Sequence, residues 1–257
     1  MKKQIQRWFV LTCCVALLSL SGVGLTGCDS QSGKSSAATN SNTETTETTT
    51  ITAQASNQDM TQLPKLEGKA TVVMTVNGSP ITIEVDGDNA PITAGNFVDL
   101  VQRGTYDGLV FHRVVTSPQP FVAQGGDPQG KDPSVPASRL GTGSFIDPET
   151  NQSRYIPLEI KPQGADEPIY GKTLKQAGVT APPVLAHTRG ALAMARSQMP
   201  NSASAQFYFA LADLQFLDGD YAVFGYVTEG MEAVDAIAQG DRIDSAEIAA
   251  GLENLKK

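Results

Sequence analysis

Cysteine and histidine are scarce in this chain of 257 residues. Two of the three cysteines, Cys13 and Cys14, lie in an apolar N-terminal run, which leaves only Cys28 outside it. One thiol cannot form an internal disulfide. The two histidines are His112 and His187, and His187 has no Cys, His or carboxylate at the spacing of zinc ligands. We therefore predict no metal site and no cofactor.

Motifs for covalent or nucleotide chemistry are also missing. The sequence has no Gly-x-Ser-x-Gly elbow of the kind that presents a nucleophilic serine. Gly141-Thr142-Gly143 lacks the third glycine of a dinucleotide fingerprint and does not begin a helix. No nucleophile stands beside a base, so hydrolysis is not indicated.

Positive charge is low. The chain has 19 basic and 27 acidic residues, a net charge of −8. Removal of residues 1–27 would take away three basic residues and no acidic ones, which leaves 16 against 27. Such a chain lacks the basic patch of a nucleic-acid-binding protein, and it cannot attach to anionic lipid through a polybasic segment. We expect no nucleic-acid partner.

The first 27 residues have the pattern of an export signal. A basic start is followed at 8–20 by an apolar run that is too short for a stable membrane-spanning helix. Leu-Thr-Gly-Cys at 25–28 resembles a bacterial lipobox. We predict a lipoprotein signal peptide over 1–27 and lipidation of Cys28; the alternative is an ordinary signal peptide followed by a chance cysteine.

A lipidated Cys28 would anchor the protein in the bacterial cell envelope. Several acyl chains on one residue satisfy the need for more than one anchoring signal. Asp29, directly after the cysteine, resembles a retention signal for the inner membrane. We therefore expect the protein on the periplasmic side of the inner membrane.

Composition divides the rest of the chain into three parts. Residues 28–65 are rich in Ser, Thr, Asn and Gln, and such a segment cannot bury enough surface to offset the entropy of ordering it. We predict a disordered Ser/Thr-rich tether over 28–65, one folded domain over 66–249 and a C-terminal tail over 250–257. The domain is long enough for one well-filled core.

The predicted domain is mainly β. Alternating segments at 70–76 and 81–85 flank Asn77-Gly78, a strong signal for a two-residue hairpin turn. Pro91 followed by an apolar stripe predicts a helix over 91–103, and a second stripe predicts a helix over 231–239. Further strands are predicted at 109–115, 121–125, 155–160, 190–196, 205–211, 221–227 and 242–248.

The most informative motifs lie on these predicted strands. They are Phe-His-Arg at 111–113, Phe-Val-Ala-Gln-Gly-Gly-Asp at 121–127, Met-Ala-Arg at 194–196, Gln-Phe-Tyr-Phe at 206–209, Leu-Asp-Gly at 217–219 and Phe-Gly at 224–225. The set resembles the cyclophilin family of peptidyl-prolyl cis/trans isomerases and covers nearly the whole folded part. The resemblance implies a closed eight-stranded antiparallel barrel capped by two helices. We further predict that residues 128–184 form a long Gly/Pro-rich insertion in this fold.

The resemblance also implies a site. Arg113 would be the catalytic hydrogen-bond donor, oriented by Gln124 as a second catalytic residue. The alternatives are a surface salt bridge for the arginine and a solvated strand position for each glutamine. Strand period places Gln206 and Tyr208 on one face of their strand. The expected substrate-binding residues are Phe121, Val122, Ala195, Arg196, Gln206, Tyr208, Phe216, Leu217 and Tyr221.

Four of these residues depart from the family pattern. Arg196 stands where the family has asparagine, Phe216 where it often has tryptophan, and Tyr221 where it often has histidine. Tyr208 replaces a common phenylalanine, and its hydroxyl must find a partner or reach water. None of these changes removes the donor or the pocket.

The predicted function is isomerisation of Xaa-Pro bonds in exported proteins, without cofactor. The protein would be a monomer whose partners are proline-containing polypeptides and, through Cys28, a membrane. The first alternative is a module that binds proline-containing segments with little turnover. A weaker alternative is a tethered scaffold that uses 128–184 as its contact surface.

Overall fold

The computed structural model describes residues 60–257. Within them lie two helices, α1 (Pro91–Gln102) and α2 (Met231–Asp235). The strands are β1 (Lys65–Leu66), β2 (Lys69–Val76), β3 (Ser79–Asp86), β4 (Arg113–Val115), β5 (Val122–Gly125), β6 (Ile146–Asp147), β7 (Gln152–Ser153), β8 (Glu159–Ile160), β9 (Ile169–Tyr170), β10 (Ala191–Met194), β11 (Phe207–Ala210), β12 (Val223–Glu229), β13 (Ile243–Ala250) and β14 (Leu255–Lys256). Neither of these helices has the length and apolar character needed to cross a membrane.

Eight of the strands form one antiparallel sheet, in the order β13-β2-β3-β12-β10-β11-β5-β4. The sheet and the two helices agree with the predicted mainly β class. The edge strands β13 and β4 share no ladder, so continuous closure of the sheet is not seen. An isolated bridge joins Val110 to Arg242, just before each edge strand. The sheet is therefore curled, with its two edges close together at this point.

The hairpin of β2 and β3 forms as the sequence predicts. Val76 pairs with Ser79 across the turn, and Asn77 and Gly78 both have positive φ, at 51° and 74°. A two-residue turn of this handedness matches the right-handed twist of the flanking strands. The alternation along β2 then turns every second residue, such as Val72, into the core.

The main core lies between α1 and the sheet and is rich in aromatic rings. Phe97 of α1 packs against Tyr106 and Phe224, each with ring centroids 5.1 Å away, and against Phe207 at 5.7 Å. Strand alternation turns Tyr208, the next residue along β11, to the opposite face of the sheet, where it packs in a separate apolar cluster. This second face carries the candidate site.

The folded domain extends beyond both predicted boundaries. β1 pairs with β14, with Leu66 opposite Leu255, and Leu63 and Leu66 are buried in the core. The end of the predicted tether and the predicted tail therefore belong to the fold, because their few leucines meet apolar partners that are distant in sequence. The predicted signal peptide and Cys28 lie outside the described residues.

Several predicted elements are shorter than the sequence indicates, three of them by four residues. The strand predicted at 155–160 is limited to β8, which pairs with β9 outside the main sheet. The helix predicted over 231–239 ends at Asp235. After it the turn is narrower than an α-helical turn, because the N–H of Ile237 donates to the carbonyl of Val234, three residues back instead of four. The strand predicted at 109–115 is regular only over β4.

The segment over 128–184, which was predicted to be a Gly/Pro-rich insertion and is called the insertion below, contacts α1 at two points. The carboxylate of Glu159 accepts the N–H of Ile92 at 3.1 Å and of Thr93 at 2.7 Å, at the start of the helix. Burial raises the pKa of Glu159, while these N–H donors oppose the shift. Further along α1, the buried Asp99 accepts a hydrogen bond from Arg154 at 2.8 Å. The insertion is therefore an integral part of the domain.

Candidate functional site

Arg113 and two glutamines form a line of polar side chains across neighbouring strands. Arg113 lies opposite Gln124 in the β4–β5 ladder, and its Nη1 donates to Gln124 Oε1 at 3.4 Å. Nε2 of Gln124 donates to Gln206 Oε1 at 3.4 Å. Arg113 is exposed and offers five N–H donors in a rigid fork, so most of its donor capacity faces solvent and is available to a ligand.

An apolar cavity of about 300 Å³ lies beside Arg113. It is formed on the face of the sheet opposite α1, between β5, β11 and the loops on either side. Nine of the eleven predicted site residues line it: Arg113, Phe121, Val122, Gln124, Ala195, Arg196, Tyr208, Leu217 and Tyr221.

The two remaining predicted residues adjoin this cavity. Gln206 lines a neighbouring cavity of about 400 Å³ and contacts Gln124. Phe216 stacks on Phe121, with ring centroids 6.0 Å apart and planes 16° from parallel. The guanidinium carbon of Arg113 lies 5.4 Å from the centre of the Phe121 ring. The structure thus brings all eleven residues to one place.

The neighbouring cavity continues the first one along the surface and shares three lining residues with it. Its far wall consists of residues 141–144 and Tyr155, which belong to the insertion. The buried carboxylate of Asp127 holds this wall, because it accepts the N–H of Gly141 at 2.6 Å and of Gly143 at 3.0 Å. The two cavities therefore form one groove, of which the insertion supplies a side.

Arg196 closes one end of the first cavity. Its Nε and Nη2 donate to the main-chain oxygen of Asp220 at 2.9 and 2.6 Å, and Nη1 donates to that of Ser197 at 2.8 Å. The guanidinium carbon lies 4.6 Å from the centre of the Tyr221 ring. The side chain thus joins the loop after β10 to the loop before β12, a span that the family's asparagine is too short to make.

Two residues directly behind the site were not predicted from the sequence to contribute to it. His187 is only 1% exposed, and its Nε2 lies 2.9 Å from the hydroxyl of Tyr208. Its Nδ1 lies 2.8 Å from Oδ1 of Asp218. Burial lowers the pKa of His187, with Asp218 opposing the shift, and burial raises the pKa of Tyr208. The polar partner that the Tyr208 hydroxyl requires is thus a neutral imidazole.

The groove can hold and polarise an amide but has no group that could cleave it. Among the described residues that line the two cavities there is no Cys, His, Asp or Glu. The charged groups that line it are the guanidiniums of Arg113 and Arg196. Catalysis in such a site has to come from binding, orientation and electrostatics.

A curled eight-stranded sheet with two helices, together with an arginine at the rim of an apolar groove, defines a cyclophilin-type protein. The model of the family described as cyclophilin type peptidyl-prolyl cis-trans isomerase/CLD matches residues 71–251. The chain belongs to the cyclophilin family, which confirms the resemblance found in its motifs.

The relatives agree with this family. A thylakoid lumen peptidyl-prolyl cis-trans isomerase of Synechocystis sp. is 45% identical over 208 residues, which cover 77% of this chain and 52% of the relative. The chloroplastic peptidyl-prolyl cis-trans isomerase CYP38 of Arabidopsis thaliana is 39% identical over 216 residues, which cover 77% and 46%. The chain spans about half the length of these two relatives.

Solved structures show the likeness of fold. A cyclophilin type peptidyl-prolyl cis-trans isomerase of Cryptosporidium parvum superposes with a TM-score of 0.53 at 23% identity, over 71% of this chain and 98% of that one. A second structure of the same protein, determined in the presence of the dipeptide Ala-Pro, has a TM-score of 0.52 over 70% and 99%.

Proposed function

We propose that this protein accelerates the cis/trans rotation of Xaa-Pro bonds in exported proteins. The observation that carries the proposal is the exposed guanidinium of Arg113 at the rim of the apolar cavity. The prolyl ring would enter the cavity between Val122, Tyr208 and Leu217, and the guanidinium would then reach the amide that precedes the ring. Relatives named as peptidyl-prolyl cis-trans isomerases support this activity.

The physics of amide rotation requires both parts of the site. The barrier is about 18–20 kcal/mol because the C–N bond has partial double-bond character. In the twisted state the prolyl nitrogen regains its lone pair, and Arg113 can donate a hydrogen bond to it. One charge-assisted hydrogen bond contributes about 1.5–3 kcal/mol, whereas five decades of acceleration need about 7 kcal/mol. The remainder has to come from a cavity that excludes water and from orientation of the bound peptide.

Substitution of Arg113 tests the catalytic assignment. We expect Arg113→Ala to lower kcat/KM on a short Ala-Pro peptide by about 10- to 150-fold, the equivalent of one charge-assisted hydrogen bond. The Tm should stay unchanged, because Arg113 is exposed and its bond to Gln124 is long. Arg139→Ala, which removes an exposed arginine that lines neither cavity, is the matched control. Equal activity of Arg113→Ala and wild type would refute the assignment.

The length of the groove favours a second candidate function. The neighbouring cavity extends the site well beyond one prolyl ring, as a module that binds longer proline-containing segments would require. Peptide affinity and turnover, measured on the same variants, separate the two functions. Binding by wild type and Arg113→Ala, with turnover by neither, would favour the module.

We also propose finer features of the molecule. The bridge between Val110 and Arg242 supports closure of the sheet into a barrel.

Residues 1–27 would be a lipoprotein signal peptide, and Cys28 would anchor a monomer on the periplasmic side of the inner membrane. Relatives named for the thylakoid lumen and the chloroplast support a location outside the cytoplasm. Cys28→Ser should move the protein to the soluble fraction; unchanged membrane association would contradict the anchor, and size-exclusion chromatography tests the monomer.

A further inference from the structure

A buried hydrogen-bonded chain lies behind the cavity that would receive the prolyl ring. The ring of Tyr208 lines this cavity, and the Tyr208 hydroxyl lies 2.9 Å from Nε2 of His187. The two rings are nearly parallel, with planes 14° apart and centroids 6.1 Å apart. His187 lines neither cavity of the groove, so it acts on a bound peptide only through its neighbours.

The partners of His187 fix where its proton is. Oδ1 of Asp218 lies 2.8 Å from Nδ1 of His187 and also accepts the main-chain N–H of His187 at 2.8 Å. An ionised carboxylate is an acceptor only, so Nδ1 carries the proton. The neutral imidazole then presents Nε2 as an acceptor, and the Tyr208 hydroxyl donates to it. Every polar atom of the His187 ring is therefore satisfied in one orientation.

The same chain reaches the other wall of the cavity. Asp218 directly follows Leu217, which lines the cavity. The loop that carries both residues is supported from behind by the insertion, because Leu174 N–H donates to Gly219 O at 3.0 Å. The Leu174 side chain packs against the Cα of Gly219, where an added Cβ would meet it at 3.2 Å. The position of Asp218 is thus set independently of His187.

We propose that His187 is a positioning residue of the groove: it fixes the Tyr208 ring through the hydroxyl and takes its own orientation from Asp218. The proposal rests on the proposed function, because it assigns Tyr208 and Leu217 to the pocket for the prolyl ring. With phenylalanine at position 208 the ring would be held by packing alone. In this chain the Tyr208 hydroxyl adds a directional hydrogen bond to His187, which joins the pocket wall to the loop behind it.

Two near-isosteric substitutions separate the two bonds of His187. The amide of glutamine reaches the place of Nε2, so His187→Gln keeps a partner for Tyr208 and loses the bond to Asp218. The amide of asparagine reaches the place of Nδ1, so His187→Asn keeps Asp218 and loses Tyr208. We expect His187→Asn to lower kcat/KM on an Ala-Pro peptide by about two- to tenfold, the equivalent of one neutral hydrogen bond. His187→Gln should stay within about twofold of wild type.

A double-mutant cycle with Tyr208→Phe distinguishes positioning from a general loss of stability. Tyr208→Phe alone should lower kcat/KM about as much as His187→Asn, since either change removes the same bond. In the Tyr208→Phe background, His187→Asn and His187→Gln should have equal kcat/KM, because contacting residues are not additive. Additive losses, or an activity that simply follows Tm in all variants, would overturn the proposal.

The outcome also separates this proposal from the proposed function. If the wild-type protein binds the peptide without turning it over, the isomerase function fails. The dissociation constants of the same five variants then test the positioning role by themselves, and equal values would overturn it. Imidazole ¹⁵N NMR of the wild-type protein gives a further readout: protonated Nδ1 and bare Nε2 are expected at pH 7, and the opposite tautomer would contradict the chain.

Discussion

Phe216 is the most exposed of the large apolar side chains described, at 70%. It contributes little to the core, but its ring extends the wall of the groove by stacking on Phe121. An exposed ring next to a groove offers apolar surface that a bound peptide can cover. We therefore expect this ring to contribute to binding and not to folding.

We expect Phe216→Ala to raise the dissociation constant for a proline-containing peptide by about two- to tenfold, the range of one aromatic contact of 0.5–1.5 kcal/mol. Calorimetric titration measures the affinity, and the Tm should not move. Ile146→Ala is the control, because Ile146 is 49% exposed and lines neither cavity. An unchanged affinity in Phe216→Ala would remove this residue from the site.

Residues of the site differ in how far sequence could predict them. Arg113, Gln124 and Gln206 lie in short motifs on alternating strands, so a local pattern places them. His187 and Asp218 are 31 residues apart, and their contact depends on how two loops pack. The one signal for them was indirect: a tyrosine in place of phenylalanine at 208 requires a polar partner, and the sequence does not say which.

At the scale of elements, α1 depends on a cap from far along the chain. Its N-cap residue Ala90 has no side chain that could accept a hydrogen bond. Glu159, 66 residues beyond Thr93, supplies the missing acceptor. The Glu159 carboxylate also lies at the N-terminus of α1, the positive end of the helix dipole.

Removal of this cap should therefore destabilise the domain. We expect Glu159→Ala to lower the free energy of unfolding by about 1–3 kcal/mol, since it leaves two buried N–H groups without an acceptor. Urea unfolding followed by circular dichroism measures the change. The exposed Glu149→Ala is the control with the same change of charge. Equal unfolding midpoints for the two variants would contradict the capping role.

Elements with a strong local signal were predicted well. Asn77-Gly78 between alternating segments gave the β2–β3 hairpin, and Pro91 before an apolar stripe gave α1 to within one residue of its end. The insertion was not predictable in the same way. Strands of two residues, such as β6 to β9, show no periodicity, and their positions depend on contacts such as that of Arg154 with Asp99.

At the scale of the whole molecule, the two histidines make stability depend on pH. Burial lowers the pKa of His187 and of His112, although Asp218 and Asp127 oppose the shifts. The unfolded chain then takes up protons below about pH 6.5 while the folded chain does not. Stability is therefore lost as the pH falls through this range. Glu159, whose pKa is raised by burial, acts in the opposite direction.

We expect the urea midpoint of the wild-type protein to fall between pH 7.5 and pH 5.5. The fall should be smaller in His187→Gln, because glutamine does not titrate. Measurements of both proteins in the same buffers at constant ionic strength make the comparison. Parallel curves for the two proteins would show that His187 does not contribute.

The limits of the domain were the least predictable feature at this scale. Polar composition up to residue 65 indicated a tether, yet Leu63 is buried and Lys65 pairs with Lys256. This ladder joins β1 to β14, about 190 residues away, and a local average of composition carries no information about such a pairing.

The order of strands in the sheet has a consequence for biosynthesis. β2 lies between β3, which follows it at once, and β13, whose first residue pairs with Val76 from about 170 residues downstream. A nascent chain emerging from the ribosome or a translocation channel can thus form the first hairpin early, but its β2 flank stays open until β13 has been synthesised, and its β3 flank until β12 has been synthesised. During that interval the hairpin is a template for unwanted strand addition, so this isomerase-like domain would itself gain from a chaperone that shields the open flanks.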